Sequence, residues 1–464
     1  MVGSPSGDGG LNLVLKNDLE LSNIPPQLHK LLTEKLKFPN PKYIENARMG
    51  RWNRGVKKEL KFYRRLRGNG LSVPRGYIRQ LITTCRKLDI DYTLEDRRRI
   101  LPQVRFVFKG RLRPFQLKAV ERMLRREFGT LNSPTGSGKT VMALYVIAMR
   151  QQPALIVVHT KDLARQWIER IEEFLEITDD DIGMIGGGKK KIGEKITVAL
   201  VQSLYKCTDE VAPSVGHLIV DECHRIPSRT FTEAVTDFDA RYMLGLSATP
   251  WRRDNLSKLI FWHLGDVHHQ VERRDLIRTG NVLPADVIFR ETNFTPYYDP
   301  VHEYSKMLSE LTVNDERNRL IAEDVAKETL RQDGVCLVLS DRKKHCESLW
   351  SILKFGYHLR ADIFTGDLNA SQRQTVLDRL HSDKTQVLIA TGQLVGEGFD
   401  CPNLTTLFLA TPVSFSGRVI QYLGRILRPA PGKKRARVFD YVDVHVQPLL
   451  KAARARKRTY GLHS

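Results

Sequence analysis

Residues 133–140 read Ser-Pro-Thr-Gly-Ser-Gly-Lys-Thr. This is the G-x-x-x-x-G-K-[ST] pattern of a phosphate-binding loop, with Ser133 in the place of the first glycine. In a loop built from Ser133, Pro134, Thr135, Gly136, Ser137 and Gly138, the two glycines let backbone N–H groups turn inward onto phosphates at the positive end of the helix that follows. Lys139 would reach the β- and γ-phosphates, and the Thr140 hydroxyl could ligate Mg²⁺. Eighty-two residues beyond the lysine, the apolar run His217–Val220 delivers Asp221 and Glu222. A carboxylate pair at the end of a strand suits two tasks: Asp221 holds Mg²⁺ through water, and Glu222 polarises the attacking water. His224, two residues on, fits a coupling role better than a structural one.

These groups need a scaffold that brings distant loops to one place. Short apolar runs recur from residue 112 onward, at 154–159, 196–201, 217–220 and 242–246, separated by segments such as 140–150 and 161–175 with helical spacing. A second series follows at 335–339, 361–364, 386–390, 405–409 and 436–442. Alternating strand and helix implies α/β architecture, with parallel sheets flanked by helices. The stretch 266–320, interrupted by Pro284, Pro296 and Pro300, reads as the linker between two such domains. Residues 1–40 read as a polar tail and a lead-in with a helix near Gln27–Lys37. Residues 41–105 mix Arg and Lys with Tyr43, Trp52, Phe62, Tyr63 and Tyr77, and form a small accessory domain whose fold the pattern does not reveal.

The chain of 464 residues carries 74 Lys and Arg against 53 Asp and Glu, a net +21. The excess is localised: residues 41–120 hold 22 basic and 6 acidic side chains, and residues 433–458 hold 9 and 2. Two basic segments on a near-neutral body point to a polyanionic partner. No apolar run approaches the roughly 20 residues of a bilayer span, and no secretory leader opens the chain, so a cytoplasmic location is expected. Six dispersed cysteines fit reduced thiols rather than a disulfide framework. Cys336, His345 and Cys346 form the sole candidate metal set besides the Mg²⁺ site, and their spacing fits no common metal centre.

With these residues in view, the span 112–445 resembles the superfamily 2 helicases and translocases. Arg113-Pro-Phe-Gln116 is similar to that family's glutamine motif, which implies that Arg113 and Gln116 contact ATP and that Gln116 reads adenine. Ser247-Ala-Thr249 resembles the third motif, which links hydrolysis to nucleic-acid contact. Thr391 and Gly396-Glu-Gly398-Phe-Asp400 resemble the fifth motif, with Gly398 and Asp400 at the nucleotide. Gln421-Tyr-Leu-Gly424-Arg425-Ile-Leu-Arg428 resembles the sixth. The resemblance implies two tandem RecA-like domains, with Arg425 and Arg428 stabilising the charge that develops on the transferred phosphate. His224, Ser247, Thr249 and Gln421 would couple hydrolysis to movement. Thr160, Lys161, Gln202, Ser203, Ser340, Thr365, Gly366 and Thr391 would contact a nucleic-acid backbone.

Within the family, Leu112–Gln116, Leu244–Arg253 and Gln421–Pro429 look most like the branch of xeroderma pigmentosum group B-type repair helicases, phage recombination helicases and type III restriction motors. The resemblance implies an ATP-dependent DNA helicase or translocase with 3′→5′ tracking, serving repair, recombination or replication. Its partner would be single-stranded, duplex or branched DNA, with a nuclease or loading protein as a further partner. An RNA helicase, or a nucleotide-gated DNA clamp without unwinding, are the alternatives. The expected organisation is 1–40 tail, 41–105 accessory nucleic-acid-binding domain, 106–265 first RecA-like domain, 266–320 linker, 321–445 second RecA-like domain and 446–464 basic tail. Trp52 is expected in a core rather than as a stacking platform, and removal of residues 1–105 is expected to weaken nucleic-acid binding while leaving basal ATP hydrolysis intact.

Overall fold

The computed structural model describes residues 10–460 apart from 49, 226–233, 249–256, 332–333, 393–400, 402, 414–418, 420–421 and 425. The polar start expected as disordered falls almost wholly outside the described residues. The chain divides into two compact units, Met1–Ser133 with Lys139–Gln270, and Pro134–Gly138 with Val271–Ser464.

The first unit begins with a small mixed sheet. The elements of this region are β1 (Leu11–Leu15), β2 (Asp18–Ser22), α1 (Pro26–Lys35), β3 (Lys37–Pro39), α2 (Pro41–Arg48), β4 (Glu59–Lys61), β5 (Arg64–Arg65), β6 (Leu71–Pro74), α3 (Ile78–Lys87) and β7 (Tyr92–Asp96), with β3 and β4 paired apart from the main sheet. The strand order is β5-β6-β2-β1-β7, with β1 parallel to β7 and the other pairs antiparallel. The expected tail at 1–40 is corrected here, because it supplies two inner strands; the helix expected near Gln27–Lys37 is α1. The reason is period-2 patterning: Leu11, Leu13, Leu15, Leu19 and Leu21 fall on one buried face, against Leu28 and Leu32 of α1 and Leu81 and Cys85 of α3.

The same unit continues with α4 (Pro114–Leu124), β8 (Phe128–Asn132), α5 (Lys139–Arg150), β9 (Ala154–Val158), α6 (Lys161–Leu175), β10 (Gly183–Gly186), β11 (Lys189–Lys191), β12 (Ile196–Leu200), β13 (His217–Val220), β14 (Tyr242–Ser247) and β15 (Val267–Gln270). These strands make one sheet in the order β11-β10-β12-β9-β13-β14-β8-β15, parallel except for the β10–β11 hairpin at its edge. β9, β12 and β13 are buried along their whole length, as a sheet covered on both faces requires.

The accessory sheet and this parallel sheet share a core. Trp262, on the helix Ser257–Leu264, is 4% exposed and lies 6.0, 5.7 and 6.1 Å from the rings of Phe38, Phe62 and Tyr77. Gly76 lets the backbone come close: a Cβ there would stand 2.4 Å from the Phe261 carbonyl and 2.6 Å from that of Trp262. Arg75 is buried and donates to the carbonyls of Phe238 and Ala240 at 3.3 and 2.9 Å. Arg98 bridges Asp96 and Glu127, and Glu127 also holds Arg241 at 2.6 Å.

The second unit has β16 (Ala285–Thr292), β17 (Val335–Ser340), β18 (Ala361–Phe364), β19 (Val387–Thr391), β20 (Leu404–Leu409) and β21 (Ala436–Asp443) in the all-parallel order β16-β21-β20-β17-β19-β18. The expected linker 266–320 is therefore occupied by structure. β15 completes the first sheet, and β16 pairs over eight residues with β21. The expected tail at 446–464 is likewise a helix, Gln447–Thr459, whose buried Arg456 pairs with Asp440 at 2.6 Å. Arg317 makes a second buried pair, with Asp443 at 2.8 Å, and Thr292 donates to the same carboxylate. Cys336 and Cys346 are buried thiols pushed up to about 12, and His345 is held between Asn318 and Ser340. Among the described residues no three His, Cys, Asp or Glu side chains gather as a metal site, and no helix is long and apolar enough to cross a membrane.

Trp262→Ala is expected to cost about 3–5 kcal/mol by opening a cavity among three aromatic rings. A chain begun at residue 106 would expose Trp262 and Leu259 and is expected to melt earlier than the full chain. An unchanged melting temperature in that truncation would contradict the shared core.

Candidate functional site

Four neighbouring strands bring the nucleotide motifs of the first unit together. β8, β14, β13 and β9 run parallel, with Asn132 opposite Ser247, His217 opposite both Tyr242 and Ala154, and Val220 opposite Gly245 and Val157. Their carboxyl ends open on one edge, where such sheets bind ligands. The Ser133 amide donates to the Ser247 carbonyl at 2.9 Å, which fixes the start of the loop to the end of β14. Ser137 closes the turn by donating its hydroxyl to the Pro134 carbonyl at 2.6 Å. Gly136 and Gly138 take φ of +86° and +79°, left-handed angles that favour glycine and aim successive amides to one side. Lys139 and Thr140 then occupy the first turn of α5, and the Lys139 ammonium folds back over the loop to the Ser133 carbonyl at 3.1 Å.

Asp221 follows β13 and is 7% exposed. Its carboxylate accepts from the Trp167 indole at 2.9 Å and from the Glu222 amide at 2.8 Å. Burial and the neighbouring Glu222 carboxylate push its pKa up to about 6, opposed by the Trp167 hydrogen bond and Lys139. A buried carboxylate held by an indole on one side and facing an ammonium suits a hydrated divalent cation, whose charge would favour the ionised form. Glu222 sits at φ +49°, so the chain turns sharply and its side chain meets the ring of His224, Nδ1 to Oε2 3.1 Å. The same nitrogen stands 3.3 Å from the Ser247 hydroxyl. His224 Nδ1 thus lies within reach of both the carboxylate and the end of β14. Cys223, between them, is a buried thiol raised well above its ordinary pKa by desolvation and the two carboxylates.

Gln116 is buried on α4, and its side-chain oxygen accepts from the Arg113 amide at 2.9 Å, capping the helix start. Thr160 caps α6 by accepting from the Leu163 amide at 3.3 Å, and Lys161 opens that helix. Gln202 and Ser203 follow β12, next to β9, and the Gln202 amide reaches the His159 carbonyl at 3.4 Å. The structure therefore brings these four to one edge.

In the second unit, Ser340, Thr365 with Gly366, and Thr391 stand at the ends of β17, β18 and β19, which are neighbours. Ser340 is buried, and its hydroxyl accepts from the Arg342 amide and meets His345. That position shapes its loop from within. Arg428 lies past the end of a short helical turn, and its carbonyl accepts from Lys433. Thr249, Gly398, Asp400, Gln421 and Arg425 lie outside the described residues. The residues that sequence reasoning missed are Trp167, which holds Asp221, and Asn318, which orients His345. Trp167 stood in a helical apolar pattern that also suits plain core packing.

Comparison with known proteins adds to this geometry. The family "Type III restriction enzyme, res subunit" matches residues 109–252, and "Helicase conserved C-terminal domain" matches residues 318–430. The chain is 28% identical to a DNA 3'-5' translocase, XPB2, of Sulfurisphaera tokodaii, over 69% of this chain and 79% of that protein. It is 27% identical to a putative ATP-dependent RNA helicase of Acanthamoeba polyphaga mimivirus, over 76% of this chain and 68% of that protein. Among solved structures, a fragment of a putative HsdR subunit of a type I restriction enzyme from Vibrio vulnificus shares the fold, with TM-score 0.56 and 20% identity over 74% of this chain and 66% of that one.

Because folding raises the pKa of Asp221 above the unfolded value of about 3.9, its ionised form destabilises the metal-free protein. That penalty is absent below pH about 4 and complete above the folded value. Asp221→Asn is therefore expected to stabilise the protein at pH 8 by the order of 1–3 kcal/mol, with the gain fading by pH 4.5. Urea unfolding with a chelator present at both pH values checks it.

Proposed function

The chain belongs to the superfamily 2 helicases and translocases, in the branch of the type III restriction and xeroderma pigmentosum group B-type motors, and from that membership we propose that it is an ATP-driven motor on DNA. The observation that carries the reading is the polar cluster of Glu222, His224 and Ser247, which sets a hydrolytic carboxylate beside the strand end that also anchors the phosphate loop. Glu222 takes a proton from the attacking water as its oxygen bonds to the γ-phosphorus and the bond to the ADP oxygen breaks. Lys139 and the amides of Gly136 and Gly138 hold the phosphates, and Arg113 and Gln116 hold the base. Thr140 and Asp221 would hold Mg²⁺, which supplies charge neutralisation at the β- and γ-phosphates. By the family resemblance, Arg425 and Arg428 would complete the charge stabilisation, Gly398 and Asp400 would contact the nucleotide, and Gln421 and Thr249 would serve coupling.

The track is formed at the sheet edges. Thr160, Lys161, Gln202 and Ser203 grip the backbone from the first unit, and Thr365, Gly366 and Thr391 from the second, with Ser340 supporting its loop. Trp52 is 91% exposed, among the exposed Arg51, Arg54, Lys57 and Lys58. An indole fully offered to solvent between cations suits base stacking on a frayed or branched end. The polarity named for the archaeal translocase, 3′→5′, is the direction assigned here. The chain would act in the cytoplasm or on the nucleoid, in repair, recombination or replication, with any nuclease step left to a protein partner. The viral relative named as an RNA helicase favours RNA as the second reading.

Steady-state hydrolysis without polynucleotide, and with single-stranded, duplex and forked DNA and RNA, tests the assignment. DNA is expected to stimulate most. Glu222→Gln is expected to lower kcat by about 10²-fold or more while retaining nucleotide binding. Stronger stimulation by RNA would move the assignment to the second reading, and tight ATP-dependent binding to DNA without translocation would make the protein a clamp.

A further inference from the structure

The face of the first unit away from the nucleotide loop carries a cationic groove that no step above uses. Two adjoining cavities, of about 570 and 450 Å³, share Arg79 of α3. The larger is lined by Lys35 of α1 and Lys87 of α3. The smaller is lined by Arg122 at the end of α4, by Arg125 and Arg126 just beyond it, and by His268 of β15. All six cations are exposed. Asp266 is the one carboxylate lining either cavity, and it pairs with Arg79 at 3.2 Å. Among the described residues the other five make no ion pair.

Solvated arginines at a helix end are ordinary, because they complement the dipole. These differ in being gathered from separate elements, α1, α3 and α4, around a concavity. Their field is felt locally. His268 and His269 are held below the usual imidazole range by burial first, and then by Arg126 and Arg79 for His268 and by Arg122 and Lys118 for His269. A concave, uncompensated cluster rich in guanidinium forks matches the phosphodiester backbone, which takes bidentate hydrogen bonds from arginine.

Placement decides which part of a nucleic acid fits. β8 starts at Phe128, whose carbonyl meets His268 at 3.1 Å, and ends at Asn132, where the phosphate loop begins. The groove thus lies at the amino ends of β8 and β15, and the strand-gripping loops lie at the carboxyl edge. Along α4, Gln116 and Arg125 stand roughly 13 Å apart. A ligand in the groove leaves both the nucleotide loop and the track clear. We propose that this groove is a second backbone-binding site, taking the phosphates of duplex DNA that flanks the translocated strand. The identity of the polyanion rests on the motor reading above, whereas the groove does not.

The test compares wild type with the Arg122→Ala/Arg125→Ala/Arg126→Ala variant, using anisotropy of a labelled blunt duplex across a salt series. The slope of log K against log salt is expected to shrink by about 2–3, since each lost phosphate contact removes roughly 0.9. Affinity at low salt is expected to drop about 10-fold or more. Hydrolysis stimulated by saturating single-stranded DNA, and the melting temperature, should stay at wild-type values. Lys35→Ala/Lys87→Ala, on other elements, should weaken duplex binding in the same sense. Duplex affinity and slope unchanged in both variants would overturn the groove and leave the motor standing, passing the cluster to an acidic protein partner. A wild-type chain that binds no polynucleotide at any salt would overturn the motor reading and this assignment together.

Discussion

Parallel pairing of β8, β14, β13, β9 and β12 imposes the constraint from which the rest of the first unit follows. Each strand leaves the sheet at the same edge, so loops far apart in sequence are delivered side by side. The phosphate loop after β8, the carboxylates after β13 and the serine ending β14 need no long-range side-chain contact to find one another. Register does that work: the Ser133 amide reaches Ser247, and the Asp221 amide reaches Val157, as continuations of the ladders themselves. Side chains then refine what the backbone has placed, Trp167 on Asp221 and His224 between Glu222 and Ser247.

The accessory sheet is subject to a different constraint. It is small, and small sheets bury too little apolar surface to be secure alone. Trp262, Leu259 and Phe128 of the neighbouring layer complete its core, and buried Arg75 ties its backbone to Phe238 and Ala240. These contacts make residues 1–105 part of one core with the parallel sheet, which the basic composition of 41–105 did not reveal. A basic surface fastened this way belongs to the same compact unit as the parallel sheet β8–β15.

Much of the α/β architecture was legible in the sequence. Fully buried parallel strands are continuous apolar runs, so ALIVV, ITVAL, HLIV and VCLVL mark β9, β12, β13 and β17 within a residue. The phosphate loop and the Asp-Glu pair were legible for a chemical reason, since their task fixes both residue type and order. Two of the strands at sheet edges were not. β15 (VHHQ) and β16 (ADVIFRET) are half-buried, mix polar with apolar residues, and take their strand character from the neighbour they pair with. The leucine alternation in β1 and β2 was present but lay beside paired prolines that suggested a lead-in. Trp52, expected in a core, is exposed because the loop that bears it contributes no face to the sheet. Ser340 ended a strand as a backbone contact would, yet burial turns its hydroxyl inward, and strand position alone carries no information about that.

The left-handed backbone at Glu222 also sets what this position can become. At φ +49° a β-branched side chain is strongly disfavoured, whereas Gly, Asn, Asp and unbranched residues are tolerated. Descendants of this chain that lose hydrolysis while keeping their shape are therefore steered toward a narrow set of replacements. Glutamine, reached from glutamate by a single base change, keeps the length and the turn and gives up only the charge. The turn that sets the direction of the Glu222 carboxylate thus leaves open a one-step route to a neutral side chain of the same length.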